Sequence, residues 1–124
     1  MKILSIDLEK ECFSYTEDDN LRKNYLGGVT LNTFLLYQHM DRSANPFDEG
    51  NHLLLSCGAL SGTTIPAAAR CEATARSPTG YFGTSNSGGG LGAAMRFCGI
   101  DCVWLQGKSK RPYVGPGSDW AMID

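Results

Sequence analysis

The segment Thr84-Ser-Asn-Ser-Gly-Gly-Gly-Leu-Gly-Ala93 constrains this chain more than any other. Three successive glycines, Gly88–Gly90, admit positive φ and let a ligand approach the backbone closely. Consecutive amide N–H groups in such a turn form a concave nest for an anion. Leu91–Phe97 follows as a helix, whose first amides are unpaired and lie at the positive end of its dipole. Ser85, Asn86 and Ser87 add side-chain donors. The same residues also suit an exposed turn that merely starts a helix, and glycine content alone does not separate the two readings. Neither a Walker loop nor a Rossmann fingerprint is present: Gly-Lys-Ser/Thr is absent, and Gly88-x-Gly90 lacks the further spacing and acidic residue.

Periodicity places this segment among other elements. Lys2–Leu8 and Cys12–Thr16 alternate apolar and polar residues and read as a hairpin turning at Glu9–Glu11. Polar Thr16–Asn20 supplies N-cap groups for a short helix from Leu21 through Leu26, stopped by Gly27-Gly28. Leu31, Phe34, Leu35 and Gln38 recur at helical spacing, with Thr30 as N-cap and an end near Met40. Asp41–Asn51 reads as a loop and His52–Cys57 as a strand. Gly58–Pro66 is another loop, Ala67–Ser77 is extended, and Tyr81-Phe82 is a short strand. Gly99 ends the helix after the glycines. Cys102–Gln106 is a strand, with a turn at Gly107-Lys108. Two prolines and two glycines in 112–118 interrupt any continuing ladder. This order predicts one α+β domain over residues 1–124, with a mixed or antiparallel sheet and a few packed helices.

Charge and cysteine usage narrow the partners. The net charge is −2, and the longest basic run is Lys108-Ser-Lys-Arg111, which excludes nucleic acid as an expected partner. No apolar run approaches the ~20 residues of a membrane span, and the first eight residues lack a leader's apolar core. A cytoplasmic location without membrane contact is expected. Five cysteines at irregular spacing (Cys12, Cys57, Cys71, Cys98, Cys102) argue against a disulfide framework and for free, mostly buried thiols.

Chemistry-bearing residues are few. Arg70, among Ala67–Ala69, offers a planar fork to a phosphate or a pterin-like amide edge, or is simply a surface arginine. Arg76 is a weaker case of the same kind. The loop Gly58-Ala-Leu-Ser-Gly-Thr-Thr64 is a tight turn or a second ligand wall. His39 and His52 read as surface histidines. Glu9, Glu11, Glu17, Asp18 and Asp19 read as solvated faces and caps.

Together these pieces resemble the N-terminal domain of the tungsten-containing aldehyde:ferredoxin oxidoreductases. The resemblance rests on Tyr25-Leu-Gly-Gly28, Leu35-Leu-Tyr37, Asn45-Pro46, Gly58-Ala-Leu-Ser-Gly-Thr63, Pro66 with Arg70, and Ser77-Pro-Thr-Gly80. It continues through Ser85-Asn-Ser-Gly-Gly89, Phe97-Cys-Gly-Ile-Asp101 and Gly107-Lys108 with Lys110 and Pro112, in family order over about residues 2–114.

The resemblance implies a saddle-like base of two β-sheets holding a tungsto- or molybdopterin (bis-pterin) cofactor. Arg70, Asn86, Ser87, Gly88 and Gly89 become expected cofactor contacts. The Asn86 backbone carbonyl becomes an expected ligand of a magnesium ion between pterin phosphates. It further implies oxidation of an aldehyde to a carboxylate. Electrons would pass through a [4Fe–4S] cluster, which Arg70 would adjoin, to ferredoxin as the indirect partner. The cluster ligands and the second pterin contact belong to further domains or a partner subunit, and no cysteine here matches a cluster-ligand position. No residue of this chain is expected to be catalytic by itself. A non-catalytic pterin- or phosphate-binding module, or a scaffold subunit, is the alternative.

Departures from the family pattern are Ala59 and Ser61 for Pro and Thr, Ala67–Ala69 where glycines are common, and Val29 where an arginine often stands. An unpaired sheet edge is expected near Val103–Leu105 or Tyr113, and with it a homo-oligomer.

Overall fold

The alternation at the start of the chain forms the expected hairpin, β1 (Lys2–Asp7) and β2 (Cys12–Glu17). Asp7 Oδ1 closes its turn by accepting from the amides of Glu9 and Lys10 at 3.1 and 3.0 Å. The computed structural model describes residues 1–110. After the hairpin come α1 (Asp19–Asn24), α2 (Gly28–His39), β3 (Leu53–Cys57), β4 (Cys71–Arg76), β5 (Phe82–Ser87), α3 (Leu91–Phe97) and β6 (Cys102–Gln106).

These strands make one six-stranded sheet in the order β2-β1-β6-β3-β4-β5. Only β1 and β6 run parallel; every other neighbouring pair is antiparallel. The fold class is therefore α+β, as expected. The described residues build a single sheet where the resemblance implied two. The expected edge at Val103–Leu105 is wrong, because β6 lies in the middle, paired with β1 and β3. Among the described residues the edges are β2 and β5. Tyr113 lies outside the described residues.

β3 explains how the sheet holds helices on both faces. Successive side chains on a strand point to opposite faces. Leu54 therefore packs under α2 with Leu31, Leu35, Leu36, Ile3 and Cys102. Leu55 packs on the other side with Met95 of α3, Cys57 and Cys71. The continuous apolar run Leu53–Leu55 is thus a strand covered on two sides.

Helix ends follow local chemistry. Asp18 caps α1 by accepting from the amides of Asn20 and Leu21 at 2.7 and 3.0 Å. α2 begins two residues before the expected Thr30 cap. Gly27, at φ 96°, is the N-cap, and Thr30 Oγ1 instead donates back to the Gly27 carbonyl at 3.2 Å. At the end of α3 the Gly99 amide donates to Arg96 O and the Ile100 amide to Met95 O, with Gly99 at φ 72°. That is a Schellman stop, with Ile100 packed near Met95 as its apolar contact.

Two polar knots tie the elements together. Asn32, fully buried in α2, donates to Leu54 O, Glu72 O and Thr74 Oγ1, bridging to β3 and β4. Asp101, 4% exposed, accepts from the Lys2 amide at 2.8 Å, from Arg22 at 3.3 Å and from Arg96. All five cysteines are free; Cys57, Cys71 and Cys102 are buried, while Cys12 and Cys98 are exposed.

Candidate functional site

The extended segment expected over Ala67–Ser77 becomes a ladder only at Cys71. Before that point Ala67 takes φ 61°, a left-handed conformation that costs a residue with a Cβ. Two contacts brace the approach to Arg70. Ser61 Oγ, in a side chain only 3% exposed, donates to Ala68 O at 2.9 Å. Gly92 of α3 presses so closely that a Cβ there would lie 2.9 Å from the Arg70 carbonyl oxygen. The Gly58–Thr64 loop thus acts as a buttress behind Arg70.

β5 extends five residues beyond the expected Tyr81-Phe82 strand, through Ser87. Thr84–Ser87 are therefore ladder residues, and the turn proper is Gly88–Gly90. Asn86 stands opposite Glu72 in the β4–β5 register. Arg70 Nε donates to Asn86 Oδ1, and Asn86 Nδ2 donates to Glu72 Oε2. The cluster Arg70–Asn86–Glu72 is thus a directed chain of hydrogen bonds on the surface beside the glycine turn. Among the described residues, Arg70 Nη1 and Nη2 donate to no protein acceptor.

Gly89 needs to be glycine for its φ of 97°. Gly88 and Gly90 lie outside the left-handed region, and a Cβ on either would meet nothing within 4 Å. Nothing among the described residues requires glycine at those two positions. Gly90 caps α3 without a side-chain hydrogen bond, and exposed Leu91 opens the helix beside the turn. α3 has only seven residues, so the amides themselves are the donors here, with little help from a dipole. Ser87 Oγ turns back to the Gly88 carbonyl at 3.1 Å.

Arg70, Asn86, Ser87, Gly88 and Gly89 thus share one exposed edge. Arg76 does not join them. Its guanidinium satisfies the carbonyls of Arg42, Ala44 and Gly80, and so pins the 41–51 loop. The histidines lie elsewhere, around Trp104, whose ring is 4.9 Å from His39 and 5.5 Å from His52. His52 is half-buried rather than a surface residue, and burial, reinforced by nearby His39, pushes its pKa down. Clefts of about 350 and 440 Å³ line α2, away from Arg70, while Arg70 and Thr84–Gly90 are exposed and form an open ledge. No group of three or more metal-ligating side chains occurs among the described residues.

Sequence reasoning missed Glu72 and the close approach of Gly92, and it named Ser61 only within the Gly58–Thr64 loop. Glu72 carried a faint signal, since residues 70, 72 and 74 are polar at a strand's period of two. Its tie to Asn86 depends on register, which periodicity does not specify.

Residues 3–114 match the family described as aldehyde ferredoxin oxidoreductase, N-terminal domain. The chain is 36% identical over 96 residues to the tungsten-containing aldehyde ferredoxin oxidoreductase of Pyrococcus furiosus, covering 77% of this chain and 16% of that protein. With the like-named Thermococcus kodakarensis protein it shares 37% over 95 residues, covering 76% of this chain and 16% of the relative. For that of Pyrococcus abyssi the identity is 34% over 113 residues, or 90% and 19% of the two chains. In structure it is similar to a chain of the active-site complex BamBC of benzoyl coenzyme A reductase in complex with 1,5-dienoyl-CoA. The TM-score is 0.85 at 27% identity, over 90% of this chain and 18% of that one. The chain therefore spans less than a fifth of the length of these relatives. With Arg70 and the glycine turn on one edge of a shared fold, this chain belongs to the aldehyde ferredoxin oxidoreductase N-terminal domain family.

Proposed function

We propose that this chain is the cofactor-holding portion of a tungsten-type aldehyde:ferredoxin oxidoreductase-like enzyme, and that its glycine ledge receives a phosphate of a tungsto- or molybdopterin. The observation that carries this reading is the pair Gly88 and Gly90. Among the described residues they are glycines without an internal reason, beside an arginine whose outer edge donates to no protein acceptor. Open backbone on one side and a guanidinium fork on the other match the donor set an oxygen-rich anion needs.

Arg70 would hold the phosphate or pterin edge. Gly88, Gly89 and Ser87 would supply close backbone approach. The Asn86 carbonyl would reach magnesium. Once bound, the cofactor supplies the two-electron redox chemistry; this chain's residues position it and balance its charge. Electron transfer through an iron–sulfur cluster to ferredoxin would rest on further domains or a partner subunit. Relatives named for aldehyde and for benzoyl coenzyme A chemistry share this fold, which supports a role in holding the cofactor rather than in choosing the substrate.

Pyrophosphate titration of the purified chain tests the site directly. Arg70→Ala should weaken pyrophosphate binding about tenfold, the worth of one charge-assisted contact. Unchanged affinity in that variant would remove Arg70 from the site. Co-expression with the rest of such an enzyme, followed by tungsten, molybdenum and pterin analysis, tests the cofactor itself. A complex lacking all three would defeat the reading.

A further inference from the structure

We propose that Glu72, which no comparison singles out, is a positioning residue: it acts through Asn86 to hold the outer edge of Arg70 open toward the ligand. This inference rests on the phosphate-site reading above.

Hydrogen-bond chemistry gives the chain one direction. A guanidinium can only donate, and an ionised carboxylate can only accept. Asn86 sits between them, so its oxygen must face Arg70 and its amide nitrogen must face Glu72, as found. The amide is thereby fixed against flipping. Without Glu72, the Asn86 side chain loses that anchor, and the Arg70 Nε contact loses its fixed acceptor.

Glu72 is well built for such a task. It lies in β4, an interior strand, opposite Ser56 on one side and Asn86 on the other. Its backbone carbonyl accepts from buried Asn32 at 3.1 Å, which ties it to α2. Asn86, by contrast, lies on the exposed edge strand β5, and among the described residues its side chain is held by Glu72 and Arg70 alone. The interior-strand residue therefore orients the edge-strand residue.

The arrangement also keeps two opposite charges apart. Arg70 and Glu72 are two residues apart and both reach Asn86, yet among the described residues they form no direct ion pair. A direct pair would spend the guanidinium fork on Glu72. With the amide interposed, only Nε is engaged among the described residues, and Nη1 and Nη2 are left for an external oxyanion.

A bystander carboxylate and a positioning carboxylate predict opposite signs, and this makes the test sharp. Removing a negative charge near an anion site strengthens anion binding by Coulomb's law alone. If Glu72 only repels, Glu72→Ala and Glu72→Gln should both tighten pyrophosphate binding. If it positions, Glu72→Ala should weaken binding about fivefold, the loss of one ordinary hydrogen bond. Glu72→Gln keeps an acceptor for Asn86 Nδ2 and should bind at least as well as the parent chain.

The experiment titrates pyrophosphate into the full chain and its two variants. In parallel, NMR follows solvent exchange of the Arg70 Nε–H without any ligand, and the backbone amide spectrum checks the fold. The expected result is weaker binding and severalfold faster Nε–H exchange in Glu72→Ala, with both restored in Glu72→Gln. Tighter or unchanged binding in Glu72→Ala, or an unchanged exchange rate, overturns the proposal. If the parent chain takes up no pyrophosphate, the phosphate reading fails, and the ligand-free exchange comparison still decides whether Glu72 orients Arg70.

Discussion

Ala67 shows how a single residue carries a conformational cost. Its backbone takes a conformation suited to glycine, φ 61°. Relief of roughly 1–2 kcal/mol of left-handed strain outweighs the roughly 0.5–1 kcal/mol that glycine loses in chain entropy. Ala67→Gly should therefore raise stability by about 0.5 kcal/mol, read as a higher urea midpoint; a lower midpoint would refute the strain. Gly92 is the converse case. Its missing Cβ lets α3 approach the Arg70 carbonyl, so Gly92→Ala should cost about 1–3 kcal/mol and weaken pyrophosphate retention together. Loss of stability with intact binding would separate the buttress from the site. Arg70 and Asn86 were legible in the sequence as separate candidates. That they touch, with Glu72 as the third member, was not, because contact across two strands depends on register.

Caps and stops were the most legible features at the scale of elements. Asp18 before α1 and Gly99 after α3 act locally, through groups two to five residues away, so sequence spacing alone exposes them. Asp18→Ala should cost about 1 kcal/mol, measurable as a lower denaturant midpoint. Strand ends were less legible. β5 runs through Thr84–Ser87, polar residues of modest strand propensity, because β4 supplies a full ladder of partners. Likewise Gly27 starts α2, where Thr30 looked the better cap, because Gly27 also bridges to Gly58 in left-handed geometry. Tertiary pairing overrode propensity in both cases. Asp101 joins β1, α1 and α3 through three donors, and Asp101→Ala should cost about 2 kcal/mol. That figure is at the low end because Arg22 and Arg96 retain 58% and 29% side-chain exposure.

Across the whole molecule, two features govern behaviour in solution. Among the described residues the sheet ends in β5, whose Thr84–Ser87 are exposed and uncharged, and such edges pair with other strands. We expect the isolated chain to self-associate through that edge, and Thr84→Lys to shift it toward monomer in static light scattering. A strictly monomeric parent chain would count against this. The second feature is pH. Burial, helped by His39, lowers the pKa of His52 below its ordinary 6.5, so the folded chain binds fewer protons than the unfolded one near that value. Its contribution to stability is complete above pH 6.5 and is lost as pH falls from there toward the lowered folded value. Stability should thus decline on acidification from pH 7.5 to 5.5, and His52→Gln should flatten that slope in thermal melts. No helix among the described residues is long and apolar enough to cross a membrane.

The sequence by itself determined the local grammar: hairpin, helices, glycine turn, caps, and the residue types able to meet an anion. Those depend on backbone freedom and on side chains within a turn or two. Only the tertiary structure decided that Cys102–Gln106 is a central strand, since β6 must find β1 almost a hundred residues away. It also decided the extent of the glycine feature. The nest expected over Thr84–Ala93 narrows to Gly88–Gly90, and its polar neighbours become strand residues that aim Asn86 between Arg70 and Glu72. Strand register and the close packing at Gly92 are long-range choices made by the whole core, and no spacing along the chain encodes them alone.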